Sequence, residues 1–456
     1  MKTIIFLTLF LLPLISHAQT RQERATHAAD EFLNLNFYYK GRGMSVSPDL
    51  IGLYESLNKM GLSTGETGPL YQRWGMVVQK GGDIRGLFNV PYEGMQIGVL
   101  GCVACHGGKA AGQYIVGLGN KNIDVGQIGA DSNKIMKVWR VVPRQNPMFK
   151  VLTDRAVEFT KNLSDPLVTN HTQGLVPTSL IRSWFWTIKG DRIPADIQKG
   201  HVKVPHMWGY GEKRKTGSFW DGEGNGELGG WGIAVELYAG QTVENVREYY
   251  PKVHHAEETL GELLPPKYPF TIDSAKAERG SKIYVQSCQG CHGTHNRDLE
   301  GLPIFDSPKH IPLRIVKTDS DRLDALSDDL YNRIETNPLN EYIQSWRRPE
   351  HGYVAPKMWG VWSRFPYLHN MSVPTLYDLL SEPTTRPKKF SLKNAGERDR
   401  FDEEKMGLTL MKNDIVKRRL YDTTRKGSSN QGHYFESFKT FTHENKLEVI
   451  EYLKTL

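Results

Sequence analysis

The sequence predicts a mainly α-helical protein with long loops, divided into two domains after a short leader. Segments whose apolar residues recur at helical spacing lie near both ends of the chain, which favours helices there. The 44 glycines and 24 prolines among 456 residues indicate long ordered loops between the helices. One pattern, Cys-x-x-Cys-His, occurs once in each half. We therefore predict one domain over residues 19–264 and a second over residues 265–456.

The two Cys-x-x-Cys-His motifs carry the most specific chemistry in the chain. They consist of Cys102, Cys105 and His106, and of Cys288, Cys291 and His292, and they use all four cysteines. This spacing is the attachment signature of a c-type haem. Two thiols a short loop apart can reach both vinyl groups of one porphyrin, and the next residue can ligate the iron. The sequence thus predicts two covalently bound haem c groups.

Two other functions for these motifs are less compatible with the sequence. A structural zinc site built from two Cys-x-x-Cys knuckles needs segments starting at residues 102 and 288 to converge on one ion. It also leaves the histidine after each knuckle without a role. A thioredoxin-like redox pair does not call for that histidine or for the glycine that follows it. Haem attachment accounts for both.

The first 18 residues resemble a secretory signal peptide. Lys2 precedes an apolar run over residues 4–15, and Ser16 to Ala18 form a small-residue cleavage site. No later stretch is apolar enough to cross a membrane. We therefore expect an exported, soluble, periplasmic protein that begins at Gln19, a location that agrees with haem attachment outside the bacterial cytoplasm.

The charge balance does not favour nucleic-acid binding. The formal net charge of +7 includes Lys2, which leaves with the signal peptide, and haem propionates add negative charge. The basic runs at residues 213–215 and 417–419 are typical of solvated faces or propionate partners. We expect a periplasmic redox protein as partner, with a small oxidant as a further candidate.

The first domain offers helices, a loop-rich section and several candidate ligands. Helical patterns cover residues 28–35 and 49–60, ahead of the first motif.

Trp220 is a candidate electron relay between the haems, with plain packing as the alternative. A sixth ligand for the first iron could come from any of five residues, among which the sequence does not choose: His201, His206, Met207, His254 and His255.

The second domain begins with a proline-rich linker, residues 265–270, and then a helix from Asp273 that places Ala277, Gly280 and Tyr284 on one face. An amphipathic helix over residues 445–454 ends the chain. A glycine one turn before an aromatic lets another helix cross closely, as in class I cytochrome c.

The second iron has His433, Met358 and Met371 as its main candidate ligands, beside His295, His310, His351, His369 and His443.

Three stretches together resemble the di-haem cytochromes related to rubber oxygenases, which are distant relatives of bacterial di-haem cytochrome c peroxidases. They are residues 367–380 with 386–388, Gly432-His433 with residues 451–456, and residues 219–222. The resemblance implies two cytochrome c-like haem domains of helix and loop. It also implies a reactive N-terminal haem, a bis-histidine C-terminal haem with His433 as distal ligand, and Trp220 near both.

The chain departs from that family at three points. Met371 stands where the family has glycine, the chain is shorter than the rubber-cleaving members, and no aromatic residue is identified as guarding the first haem. Polymer cleavage is therefore not expected. The sequence favours an exported di-haem c-type cytochrome in electron transfer, whose first haem reacts with peroxide or dioxygen. Glu236 is the candidate general acid or base for that reaction. The alternative is a non-catalytic electron carrier with both irons six-coordinate.

Overall fold

A computed structural model describes residues 19–35, 45–46, 70–79, 81–92, 95–131, 172–177, 200–213, 220–222, 242–336, 338, 340–341, 350–411 and 418–456. The predicted signal peptide, the predicted helix over residues 49–60 and Glu236 lie outside these ranges. Within them, no helix combines the length and the apolar composition needed to cross a membrane.

Helices and loops dominate the described chain. The helices are α1 Arg21–Asn34, α2 Leu70–Arg73, α3 Val103–His106, α4 Tyr210–Lys213, α5 Val243–Leu260, α6 Ser274–Ser287, α7 Gln289–His292, α8 Leu313–Val316, α9 Asp321–Asp324, α10 Asp328–Glu335, α11 Leu376–Leu379 and α12 His443–Lys454. Short 3₁₀ turns occupy Val361–Ser363, Pro383–Thr385, Arg398–Arg400 and Glu436–Thr440. The predicted helix around residues 28–35 is confirmed as the second half of α1, which begins after the capping residue Thr20.

Small antiparallel sheets, which the sequence analysis did not predict, connect the helices. The strands are β1 Ser45–Val46, β2 Leu87–Tyr92, β3 Met95–Leu100, β4 Gly107–Ala110, β5 Gln113–Val116, β6 Leu175–Pro177, β7 His201–Lys203, β8 Lys309–Pro312, β9 Gly352–Ala355, β10 Lys389–Ser391, β11 Phe401–Asp402, β12 Gly407–Leu408 and β13 Leu420–Asp422. Among the described residues they form one three-stranded sheet, β1-β3-β2, and the pairs β4-β5, β6-β7, β8-β9, β10-β13 and β11-β12.

The β4-β5 hairpin follows directly on the first Cys-x-x-Cys-His motif. Its two-residue turn, Ala111-Gly112, has φ angles of 50° and 82°, which is the left-handed geometry that matches strand twist in tight hairpins. The strands pair from Gly107 with Val116 to Ala110 with Gln113. The glycine-rich segment after His106 is therefore partly a hairpin.

The predicted helix crossing in the second domain is confirmed. Helix α6 buries Ala277, Gly280 and Tyr284 on one face, and it packs against α12. A methyl group on Gly280 would overlap the backbone carbonyl of Glu448 on α12. The glycine is therefore needed for the close approach of the two helices.

One large core holds side chains from both predicted domains. Trp208 of the first domain and Trp359, Tyr421 and Ile450 of the second are buried in the same cluster. The predicted linker, residues 265–270, runs without helix along this core, where the carbonyl of Pro266 accepts a hydrogen bond from the Trp362 indole. The boundary between residues 264 and 265 stays a prediction.

Candidate haem-binding sites

The first motif follows β3 and folds into the single turn α3. The backbone N–H of Cys102 donates to the carbonyl of Leu35 at the end of α1, which ties the motif to that helix. The Nδ1 atom of His106 lies 3.0 Å from the carbonyl oxygen of Pro205. Because a carbonyl can only accept, Nδ1 carries the proton, and the lone pair of Nε2 is available to a metal.

The second motif has the same arrangement. Helix α6 leads into Cys288, the turn α7 follows, and the Nδ1 atom of His292 lies 2.9 Å from the carbonyl oxygen of Pro356. Burial, followed by the charges of Arg364 and Lys357, lowers the pKa of His292 to about 4. At neutral pH its Nε2 therefore keeps a free lone pair. A hydrogen bond from the second nitrogen is the usual way in which proteins orient a metal-bound histidine.

The two prolines belong to a repeat that the sequence analysis missed. Residues 205–209 and 356–360 both follow the pattern Pro-x-Met-Trp-Gly. Their glycines, Gly209 and Gly360, have φ angles of 69° and 65°, so the two segments turn in the same way. The repeat is visible in the sequence, but the two segments lie at different distances along the chain from their Cys-x-x-Cys-His motifs, which hides their relation to the motifs. We call them the first and the second proximal loop.

His433 faces His292. Their ring centroids are 6.1 Å apart with an interplanar angle of 45°. Two metal–nitrogen bonds of about 2 Å, together with the distance from each nitrogen to its ring centre, account for a separation of this size. Among the described residues, the buried Nδ1 atom of His433 has no hydrogen-bond partner.

A strained turn brings His433 to this position. Gly432 and His433 both have left-handed backbones, with φ angles of 77° and 46°. A side chain on Gly432 would overlap the backbone of Lys317, and the N–H of His433 donates to the carbonyl of Val316 at 2.7 Å. Burial lowers the pKa of His433 to about 3, so the imidazole is neutral. The pair fits two axial ligands of one iron.

The other candidate ligands of the second iron have different contacts. Met358 lies in the second proximal loop, and its N–H donates to Nε2 of His295 at 3.0 Å. Met371 is buried against Gly174 with a φ angle of 63°, so a methionine here adopts the left-handed backbone that favours glycine. His369 stacks on Tyr353, whose hydroxyl lies 3.1 Å from its Nε2.

The candidate ligands of the first iron are spread over several elements. The Nε2 atom of His206 lies 3.3 Å from Nη1 of Arg364, and Met207 is buried in the core. His201 is buried on β7, whereas His254 and His255 project from α5 near glutamates. Among the described residues, the phenyl ring of Phe32 lies near His106, at a centroid distance of 6.5 Å. The sixth ligand of this iron stays open.

Trp220 lies at a small cavity between segments of the two predicted domains. Its indole N–H donates to the carbonyl of Lys203 at 2.9 Å. The cavity is also lined by Lys121 and His206 from the first domain and by Arg364 and Met371 from the second. This position suits an electron relay, which stays a prediction.

Arg364 joins the two proximal loops. Its Nη1 atom contacts His206, the residue after Pro205, and its Nη2 atom donates to the carbonyl of Lys357, the residue after Pro356, at 2.8 Å. The loops that orient His106 and His292 are thereby linked through one guanidinium group.

The four cysteines do not form a zinc site with each other. Among the described residues, no three His, Cys, Asp or Glu side chains converge as metal ligands. The described geometry fits two separate histidine centres.

Comparison with known proteins supports the haem assignment. A family profile described as "RoxA-like, cytochrome c-like" matches residues 352–391. This stretch contains Pro356, Trp359 and Arg364 of the second proximal loop region. The chain therefore contains a cytochrome c-like domain, which implies covalently bound haem c and a redox role.

Two curated proteins of Sinorhizobium fredii (strain NBRC 101917 / NGR234) are similar to parts of the chain. The uncharacterized protein y4iM is 29% identical over 207 residues, which are 38% of this chain and 44% of that protein. The uncharacterized protein y4iJ is 27% identical over 260 residues, 44% of this chain and 43% of that protein. The chain spans less than half the length of either relative.

Proposed function

We propose that this protein is an exported di-haem c-type cytochrome that transfers electrons in the periplasm, with one haem at each Cys-x-x-Cys-His motif. The observation that carries the proposal is the repeated proximal arrangement. In both motifs the Nδ1–H of the histidine donates a hydrogen bond to a proline carbonyl, at 3.0 Å for His106 and 2.9 Å for His292. If the protein bound a single haem, one of the two imidazoles oriented in this way would have no iron to ligate.

The second centre is proposed as the electron-transfer haem. Cys288 and Cys291 would hold the porphyrin, and His292 and His433 would be the axial ligands. Two imidazole ligands give a low-spin iron at a lower potential than a histidine and a methionine would. The lowered pKa values of both rings would keep the imidazoles neutral and able to hold an iron.

The first centre is proposed as the reactive haem, held by Cys102 and Cys105 with His106 as proximal ligand. Among the described residues, the contacts of the five candidate sixth ligands do not single out any one of them for this iron. This favours an open coordination position for a small oxidant such as peroxide or dioxygen. Electrons would come from a periplasmic redox protein and pass through the second centre.

The test is a haem count and a spin state on the matured full-length protein. A pyridine haemochrome assay should give two c haems per chain, and one in each of the double variants Cys102→Ala/Cys105→Ala and Cys288→Ala/Cys291→Ala. An electron paramagnetic resonance spectrum of the oxidised protein should show one low-spin and one high-spin ferric haem. Fewer than two haems in the wild type would reject the di-haem proposal, and two low-spin signals would indicate an electron carrier instead.

A further inference from the structure

Three cationic side chains meet at the cavity beside Trp220. Lys121, Lys203 and Arg364 all line it, and Lys121 and Arg364 are only 4% and 7% exposed. Lys121 comes from the segment after the β4-β5 hairpin, Lys203 from the end of β7, and Arg364 from the second domain. We call these three residues the cation cluster. Bringing three positive charges together in a protein interior is costly unless negative charge accompanies them.

The hydrogen bonds of the cluster go to neutral groups. Lys121 donates to the carbonyls of Lys109 and Ser363, both at 3.0 Å, and its ammonium lies 3.7 Å from the centre of the Phe365 ring. Lys203 donates to the carbonyls of Arg364 and Pro366 at 2.7 and 2.9 Å. These dipoles satisfy the donors without neutralising the charge.

The described residues supply no carboxylate to the cluster. Two other buried arginines show the contrast, because Arg73 pairs with Asp131 at 3.1 Å and Arg322 pairs with Asp221. The Nε atom of Arg364 is buried and has no hydrogen-bond partner among the described residues. Burial, followed by the charges of Arg364 and Lys121, lowers the pKa of Lys203 well below its usual range. The cluster therefore lacks an anion.

The cluster is also connected to both proposed haem centres. Arg364 contacts His206 in the first proximal loop and the Lys357 carbonyl in the second, and its charge contributes to the lowered pKa of His292. Each haem carries two propionates, and a carboxylate is the planar, bidentate partner that a guanidinium group prefers.

We propose that Lys121, Lys203 and Arg364 form an internal anion site that binds a carboxylate, supplied by a propionate of one of the two haems. This inference rests on the proposed haem attachment. A free small carboxylate has the same chemistry and is the other source to be distinguished. The anion would neutralise part of the positive charge of the cluster in the cavity that Trp220 also lines.

The experiment measures the midpoint potentials of both haems in the matured full-length protein by spectroelectrochemistry. In Lys121→Met and Arg364→Gln, a propionate that has lost a neighbouring cation favours the ferric state. We expect the potential of one haem to fall by about 59 mV, which corresponds to a tenfold change in the equilibrium constant of a one-electron couple. Arg364→Lys keeps the charge but not the bidentate geometry, so it should lower the potential less than Arg364→Gln does.

The matched surface control is Lys282→Met, which removes a lysine that is 71% exposed. It should leave both potentials unchanged. If Lys121→Met fails to fold, the comparison of Arg364→Gln with Arg364→Lys still tests the charge at the same position. Unchanged potentials in Arg364→Gln, with two haems bound, would overturn the anion site but not the haem proposal. A wild type with fewer than two haems would instead reject the haem proposal.

A titration with sodium acetate at constant ionic strength separates the two sources of the carboxylate. If a propionate fills the site, the wild-type potentials should not respond to acetate. If they respond in the wild type and no longer do so in Lys121→Met, the site binds a free carboxylate, and the propionate assignment is wrong.

Discussion

The indole N–H of Trp208 donates to the backbone carbonyl of Trp359 at 2.9 Å. The two tryptophans hold the same position in the two proximal loops, and both side chains are almost completely buried. The loop that orients His106 is thus bonded directly to the loop that orients His292. The Arg364 bridge adds a second link between them. The loops that carry the two proline carbonyls are therefore linked both by a hydrogen bond between their tryptophans and by the Arg364 side chain.

The Trp208 bond should contribute to stability. In Trp208→Phe the Trp359 carbonyl loses its buried donor and a cavity forms, so we expect the free energy of unfolding to fall by about 2–4 kcal/mol. The comparison variant is Trp359→Phe, which removes a similar volume and a longer bond, of 3.3 Å, from the Trp359 indole to the Ile304 carbonyl, but keeps the Trp208 bond, because the acceptor there is backbone. Denaturant unfolding of the two variants should show the larger loss for Trp208→Phe; equal losses would mean that the Trp208 bond contributes no more than the longer Trp359 bond.

Gly280 should tolerate no side chain. In Gly280→Ala the new methyl group meets the backbone of Glu448, which cannot move without displacing α12. We expect a loss of about 3 kcal/mol or more in the free energy of unfolding, or a failure to accumulate folded protein. Ser281→Ala changes the adjacent exposed residue of α6 and should behave like the wild type. Thermal unfolding followed by circular dichroism would measure both, and a stable Gly280→Ala protein would argue against the crossing.

The sequence allowed the local features of the site to be predicted and left the non-local ones open. The face formed by Ala277, Gly280 and Tyr284 follows from helical spacing, and it is confirmed. The proline carbonyls that orient the histidines are backbone groups far along the chain. The Pro-x-Met-Trp-Gly repeat marks both segments in the sequence but does not indicate which group each carbonyl contacts. His433 could not be preferred over Met358 by residue type alone, because both can ligate iron. Its position depends on a left-handed turn that only the structure shows.

The cation cluster illustrates the same limit. Lys121, Lys203 and Arg364 are separated by long segments, and each alone has the appearance of an ordinary surface charge in the sequence. The short hairpins were missed for a related reason, since strands of two to four residues are too brief to show a period of two.

His433 should determine the spin state and potential of the second haem. In His433→Met a thioether replaces one imidazole, so we expect a higher midpoint potential with the second haem still attached. His433→Ala should open the site and give a high-spin ferric signal. Met358→Leu and Met371→Leu preserve the apolar volume and should leave the spectrum unchanged. If either methionine variant changes the spectrum and His433→Ala does not, the ligand assignment is wrong.

Trp220 should affect the rate of electron transfer between the haems rather than their binding. Trp220→Phe keeps an aromatic ring but removes the N–H that donates to the Lys203 carbonyl. We expect slower reduction of the first haem after the second has been reduced, at unchanged haem content, measured by stopped-flow absorbance. Trp362→Phe, another tryptophan bonded to a backbone carbonyl, is the control. An unchanged rate in Trp220→Phe would favour plain packing.

The buried imidazole of His369 should make stability depend on pH. Burial, followed by the charges of Arg322 and Lys203, lowers its pKa to about 3, against about 6.5 for an unfolded chain. Between these values the unfolded state binds a proton that the folded state does not. The contribution of His369 to the free energy of unfolding is therefore complete above about pH 6.5. It is lost as pH falls towards 3, by up to about 1.4 kcal/mol per pH unit.

The variant His369→Gln isolates this effect, because glutamine can keep the hydrogen bond to the Tyr353 hydroxyl and does not titrate. We expect the free energy of unfolding of this variant to fall less steeply than that of the wild type as pH falls from 6.5 to 4. Denaturant titration at each pH measures both. Since the haem ligands are unchanged in both proteins, their titration cancels from the difference. Parallel curves would show that His369 is already protonated in the folded state or that it lies in contact with solvent. A shallower slope for His369→Gln would confirm that the residues around the second proximal loop hold a neutral imidazole in a dry interior.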